Sequence, residues 1–384
     1  PITTPVVKEV YGLEAANVML GWRLPGATDP STDVANIVGS VLYNGQAGLI
    51  DLDLNQQQKV LSAYGYASSQ PDYGTFLVAG RPKAGSLDEV RDMLLSEVAK
   101  LRNGDFDESL IEATINNYKM QMMRSFEENE SRAMLYVYSF INGADWADEV
   151  QQLDRMSKIT KQDVVDWANK YLGPESYAIV YKREGKDPNE QKIAAPKITP
   201  IVTNRDSQSE FLTEIQNSKV EPIEPVFVDY KKDMSQFEAQ KGVNVLYKKN
   251  ETNDIFTLIY VFNTGTENDP ALNLAFDYLS YLGTDKMSAE QIASEMYAIA
   301  CSFGLSAGTN QSWIEVSGLS ENMGKAMEIV EGLIAGAQPN EEILQNLKGD
   351  MIKSRADAKL NQSRCFGALQ RYMIYGSDFI RRTT

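Results

Sequence analysis

Apolar and polar positions along the chain form one pattern that is written twice. The first copy opens with an apolar run and a turn from Val18 to Pro30, and the second with a similar run from Leu258 to Pro270. Gly26 answers Gly265 and Pro30 answers Pro270, at offsets of 239 and 240. In each copy a helix-like stretch closing on glycine follows, Val34 to Gly45 and Leu272 to Gly283. Tight segments, Tyr64-Gly65-Tyr66 and Phe303-Gly304-Leu305, then precede alternating runs, Thr75 to Gly80 and Trp313 to Gly318, that suit half-buried strands. Downstream, Ile111, Ile115, Tyr118 and Met122 recur at spacings of 4, 3 and 4, the stripe of an amphipathic helix, and Ile343, Leu347 and Met351 repeat it. The next helix begins at Ser131-Arg132 or Ser363-Arg364 and ends at Gly143 or Gly376, offsets of 232 and 233.

The first copy continues with a helix capped by Thr160 and Asp163, an apolar face of Val164, Val165, Ala168, Tyr171 and Leu172, a Gly173-Pro174 stop and a strand from Ser176 to Lys182. The second copy reaches Thr384 before any such element, and Pro1 is no initiator methionine, so the sequence is expected to be a central piece of a longer chain. Between the copies, Pro188, Pro196, Pro200, Pro222 and Pro225 amid polar residues predict an extended linker. Val226 to Lys231 and Val243 to Lys249 are expected to open the second repeat as strands, with a polar turn at 250–254 before Ile255. The fold class that follows is α+β, with two homologous domains of antiparallel sheet and flanking helices. Their bounds are 1–185 and 226–384, joined by the linker at 186–225, the second domain being truncated at its C-terminus.

Length and composition fit that division: 384 residues suit two cores, and 43% hydrophobic with 23% charged residues is the balance of a packed chain. The longest apolar runs, such as Ile255 to Phe262, fall far short of the roughly 20 residues that span a bilayer. A net charge of −16 repels phosphate backbones, and no basic block offsets it, so nucleic acid is excluded as a partner. Cys301 and Cys365 stand far apart and form no C-x-x-C half-site; both read as buried free thiols. Zero histidines weighs most, because it removes Ser-His and Cys-His catalysis and every histidine-containing metal site together.

The remaining motifs fail on their chemistry. Gly304-Leu305-Ser306-Ala307-Gly308 spells a nucleophile elbow, but an elbow needs a strand, a turn and a helix plus a base for Ser306; here a strand is predicted to follow, and neither a histidine nor an S-x-x-K exists. Asp51-Leu52-Asp53-Leu54-Asn55 begins like a calcium loop, yet Gln56 and Ser62 replace the glycine and the bidentate glutamate, which leaves a strand or turn. Gly318 to Lys325 resembles a phosphate loop with one residue too many, and Ala326 stands where a hydroxyl would hold magnesium.

The repeat resembles the duplicated α+β domains of the insulinase/pitrilysin zinc metallopeptidases, the inverzincins. Residues 1–185 look like the second of that family's four domains and 226–384 like most of the non-catalytic third. The family's H-x-x-E-H lies on a helix before Gly-Thr; anchored on Gly283-Thr284, Leu274 and Tyr278 stand at the two histidine positions and Asp277 at the base. The third ligand, a glutamate, would fall between Asp350 and Ser354, where none stands. A substrate-gripping Arg seven residues before a Tyr is matched at Tyr64 but replaced at Gln57.

The resemblance therefore implies a non-catalytic portion of a zinc-dependent metalloendopeptidase. That portion would supply chamber wall, hinge and peptide contact, with no catalytic or metal residue and with substrate-contacting residues left unassigned. Its zinc would lie in the N-terminal domain of the parent, and its partners would be peptide substrates and the remaining N- and C-terminal domains of the same chain. Family habit points to a bacterial periplasm or envelope. Two alternatives stay open: a scaffold or peptide-binding subunit with no active half, and an unrelated duplicated α+β binding module.

Overall fold

A computed structural model describes residues 2–83, 85–191 and 194–383, with side chains described as far as Ser377. The chain divides into two compact units, one of residues Pro1–Asp187 with Thr252–Thr384 and one of Pro188–Glu251. The larger unit holds both copies of the repeat. Its first copy runs β1 (Val6–Gly12), β2 (Asn17–Leu24), α1 (Thr32–Leu42), a π-helical turn (Asp51–Gln56), β3 (Ser62–Ser69), β4 (Gly74–Arg81), α2 (Leu87–Asn103), α3 (Ser109–Ser125), α4 (Asn129–Asn142), two short helices α5 (Trp146–Glu149) and α6 (Gln152–Met156), α7 (Lys161–Tyr171) and β5 (Ala178–Glu184).

The smaller unit holds α8 (Glu210–Asn217) and the hairpin β6 (Ser235–Gln240) and β7 (Val243–Tyr247). The second copy follows as β8 (Ile255–Phe262), α9 (Leu272–Leu279), α10 (Ala289–Ala298), β9 (Cys301–Ala307), β10 (Ser312–Leu319), α11 (Met323–Gly336), α12 (Glu341–Ala358) and α13 (Gln362–Thr383), the last interrupted by non-helical backbone at Gly376.

In the first copy five strands pair in the order β1-β5-β2-β4-β3, antiparallel except for the parallel β1–β5 pair. In the second, three strands pair as β8-β10-β9, the antiparallel order of β2-β4-β3 again. Strand side chains alternate, so each sheet has one apolar face to hide. Val18, Leu20 and Trp22 of β2 and Phe76 and Val78 of β4 are essentially fully buried beneath Ile37 and Val41 of α1, Leu94 and Val98 of α2, and Val164 and Trp167 of α7. The Trp22 indole N–H donates to the Gly173 carbonyl at 2.9 Å, which ties the stop after α7 to the core. Phe256, Ile314, Val316, Met296 and Val330 form the smaller counterpart.

The recurring glycines have a shared cause. A Cβ on Gly26 would overlap the Pro71 carbonyl oxygen, and one on Gly265 would overlap that of Thr309, so the loops after β2 and β8 each cross the turn of the later hairpin at backbone distance. The α7 start forms the expected capping box, Asp163 N–H donating to the Thr160 hydroxyl while the Asp163 carboxylate accepts from the Thr160 N–H.

Several sequence expectations are corrected. Tyr64 to Tyr66 and Phe303 to Leu305 lie inside strands β3 and β9, because short side chains around them pack as half-buried ladder positions. Asp51 to Asn55 forms a π-helical turn in place of a strand or simple turn. Val226 to Lys231 makes no strand; Pro222 and Pro225 precede it and its side chains are exposed. Val243–Tyr247 is a strand, but it pairs with Ser235–Gln240 in the smaller unit. The predicted linker contains α8, whose start Ser209 caps through Leu212 N–H. Cys301 is buried, with its thiol pushed up to about 11 by burial, whereas Cys365 is exposed.

The core assignment predicts that Leu20→Ala costs about 2–5 kcal/mol. Urea unfolding should show a lower midpoint with unchanged slope. A cost within the error of the measurement would mean that β2 does not face this core.

Candidate functional site

The two copies meet along a seam made mainly by helices of one and backbone of the other. Tyr297 of α10 is 5% exposed, packed on Ala47 and Ala113 of the first copy. Its hydroxyl donates to Thr114 Oγ1 at 3.3 Å and its carbonyl accepts from Asn117 Nδ2 at 2.7 Å, and burial pushes its phenol up to about 12. Met120 packs with Ile255 and Ala300 alongside.

A series of glutamine side chains crosses the same seam. Gln46 Nε2 donates to the carbonyls of Ala293 and Cys301, each at 3.2 Å; Gln56 reaches Ser280 O, Gln57 reaches Glu290 Oε1, and Gln58 reaches Ile343 O. Arg81 pairs with Asp357 at 2.7 Å and Lys83 with Asp350 at 2.8 Å, fixing α12 to the end of β4.

A cleft of about 420 Å³ opens within this seam, lined by Asp51, Asn55 and Gln56 of the π-helical turn and by Asp277, Ser280 and Tyr281 around the end of α9. Irregular helical turns of this kind often mark functional positions. Burial raises the Asp51 carboxyl above its ordinary value even though its Oδ2 accepts from the backbone N–H groups of Asn44, Gly45 and Gly48 at 2.9 to 3.0 Å. Partial withdrawal from water raises Asp277 as well, and Tyr281 is raised by burial first and then by the charges of Asp350 and Asp277.

The positions that the resemblance aligns with a zinc site make other contacts here. The Tyr278 hydroxyl donates to the Asn340 carbonyl at 2.8 Å and accepts the Asn340 N–H, so it holds the start of α12. Leu274, on the turn of α9 before it, offers no lone pair. Asp350 gives one oxygen to Lys83 and buries the other without a partner among the described residues. These groups do not fit zinc, and among the described residues no three His, Cys, Asp or Glu side chains converge as ligands.

The other sequence candidates separate. Gln57, at the position of the family's gripping arginine, points across the seam to Glu290, while Tyr64 stands on the outer face of β3. There its ring lies parallel to that of Tyr66, 6.3 Å between centroids, with Tyr43 edge-on at 6.4 Å. Ser306 is an exposed strand position on β9, not the tip of an elbow. Gly318 to Lys325 leads through a 3-10 turn into α11, and Lys325 pairs with Glu295 at 2.7 Å. The seam glutamines have no signature in the sequence, since polar residues bonding distant carbonyls leave no periodicity.

Residues 2–118 match the family model described as the peptidase M16 inactive domain, the family to which the insulinase/pitrilysin resemblance points. The match spans less than a third of the chain and agrees with the resemblance carried by the repeat. No curated protein matches.

Many solved structures are similar, three of them as follows. One is a mutant of the ferredoxin protease FusC in complex with Arabidopsis ferredoxin, 12% identical over 98% of this chain and 46% of that one, TM-score 0.47. Another is the periplasmic protease PqqL from Escherichia coli, 12% identical over 97% and 45%, TM-score 0.39. The third is a protease from Helicobacter pylori, 16% identical over 48% and 45%, TM-score 0.45. The chain spans about half the length of these proteases.

Asp277 gives a test of the seam. A carboxyl whose folded-state pKa is raised binds its proton more tightly when folded; its stabilising contribution is full below the unfolded pKa and is lost as pH rises through the folded one. Asp277→Asn should therefore melt at or above the parent temperature at pH 7, with the difference disappearing near pH 3, below the unfolded carboxyl range of about 3.9. A variant that melts lower at pH 7 would place a favourable partner on the Asp277 carboxylate.

Proposed function

We propose that this chain is a non-catalytic, chamber-forming and peptide-contacting portion of a zinc-dependent peptidase whose metal is held by a separate domain. The observation that carries the reading is the one-sided packing of the five-stranded sheet. Its inward positions are buried under α1, α2 and α7, while Met19, Tyr64, Tyr66, Leu77 and Val180 on the other face are partly or fully open to water. At the edge of that face β3 has β4 as its one ladder partner among the described residues, so its outer backbone groups can pair with an added strand.

An extended peptide joining β3 would gain main-chain hydrogen bonds that tolerate varied sequence, and the Tyr43, Tyr64 and Tyr66 rings would cover its side chains. At the far end, the Arg23 guanidinium lies 4.5 Å from the Tyr73 ring centroid and extends the same surface. The periplasmic relative favours an envelope location for the parent protein, and no helix among the described residues is long and apolar enough to cross a membrane.

A photocrosslinking residue replacing Tyr66 should capture an added unstructured peptide, whereas the same residue replacing Asp92, on the helix layer, should not. Tyr64→Ala combined with photocrosslinking at position 66 should lower the yield severalfold, in line with loss of one aromatic contact. Equal capture from both faces would remove the peptide-contact reading.

A further inference from the structure

A second groove, of about 330 Å³, lies apart from the Tyr64 face and from the seam cleft. It forms where the C-terminal end of α3 crosses the outer face of the three-stranded sheet. Its floor is short: Ser302 and Ser306 project from β9 and Ser317 from the neighbouring β10, on one face by the ladder register, which sets Ser317 opposite Ser302 and Trp313 opposite Ser306. Trp313 supplies an aromatic wall. Arg124 and Glu315 both line the groove, and among the described residues no ion pair or hydrogen bond occupies either side chain, with each other or with a third group. Ser317 is 5% exposed as a residue, and its hydroxyl, without a hydrogen-bond partner among the described residues, opens on this space.

Opposite charges that share a groove without pairing, above a hydroxyl open to the groove, form an arrangement that a ligand of two charges completes. We propose that this groove binds a short zwitterionic peptide of dipeptide size, its terminal carboxylate on the Arg124 guanidinium and its ammonium on the Glu315 carboxylate. The planar guanidinium matches a carboxylate with two parallel N–H bonds, and the ammonium gives charge-assisted bonds to Glu315. Ser317 donates to the ligand's amide carbonyl, and Trp313 covers one side chain. The volume sits at the small end of ligand sites, which span about 300–1,000 Å³, and so favours two residues over a longer strand. The site is independent of the peptide face on β3: it selects free chain ends, where β3 would select extended main chain.

The test titrates alanyl-alanine into the whole chain, followed by calorimetry and by indole fluorescence, with Trp313→Phe identifying the reporting ring. Saturable binding is expected, about tenfold weaker for N-acetyl-alanyl-alanine and for alanyl-alanine amide, the loss of one charge-assisted contact in each case. Arg124→Gln should abolish the preference for the free carboxylate alone, and Glu315→Gln the preference for the free amine alone. Both positions are exposed, so melting temperatures near the parent's will show that the variants fold. Equal binding of free and blocked dipeptides, selectivity unchanged in both variants, or no saturable binding would overturn the proposal. Capture of extended peptide at Tyr66 can succeed or fail without altering any of these outcomes.

Discussion

The strand period of two governs this molecule. Because successive side chains point to opposite faces, a sheet whose inward positions are Val18, Leu20, Trp22, Phe76 and Val78 needs helices on one side only. Those helices leave the other face of the sheet to water. Everything proposed about peptide contact rests on that uncovered face, and the smaller sheet repeats the arrangement with Ile314 and Val316 inward and Trp313 and Glu315 outward.

A second constraint is the seam. The buried phenol of Tyr297 and the side-chain amides of Gln46 and Asn117 satisfy carbonyl and hydroxyl groups that would otherwise lose hydrogen bonds on burial, which is what lets two repeats share one compact unit. The same seam engages the positions that the family resemblance aligns with its zinc and substrate-gripping residues. Tyr278 anchors α12, Asp350 meets Lys83, and Gln57, aligned with the gripping arginine and not with a ligand, meets Glu290; each makes a structural contact.

Much of this is legible in the residues. The alternating and helical periods place most elements of both copies, and the capping box at Thr160 fixes the start of α7. What escapes has physical reasons. Matching residues align the opening strands at an offset of 240, Val18 with Leu258, whereas the ladders pair Val18 with Gly80 and Phe256 with Gly318, so Val18 corresponds to Phe256. A slip of two residues leaves every side chain on its own face, and hydrophobic pattern cannot detect it. Identity also matches Gly65 to Gly304, but the ladders set Gly65 opposite Val78 and Phe303 opposite Val316, so Gly65 corresponds to Phe303, and this slip of one residue puts the two glycines on opposite faces. The π-helical turn at Asp51 and the glutamine contacts depend on tertiary partners. Val226 to Lys231 has strand composition without a neighbouring strand to bond.

The central claim is that these repeats contact peptide without cutting it. It is tested most directly by incubating the purified chain with a fluorogenic peptide library in the presence of added zinc, with metal content measured on the recovered protein. The account predicts no bound zinc and no turnover above the uncatalysed rate. Chelator-sensitive hydrolysis accompanied by stoichiometric zinc would contradict it.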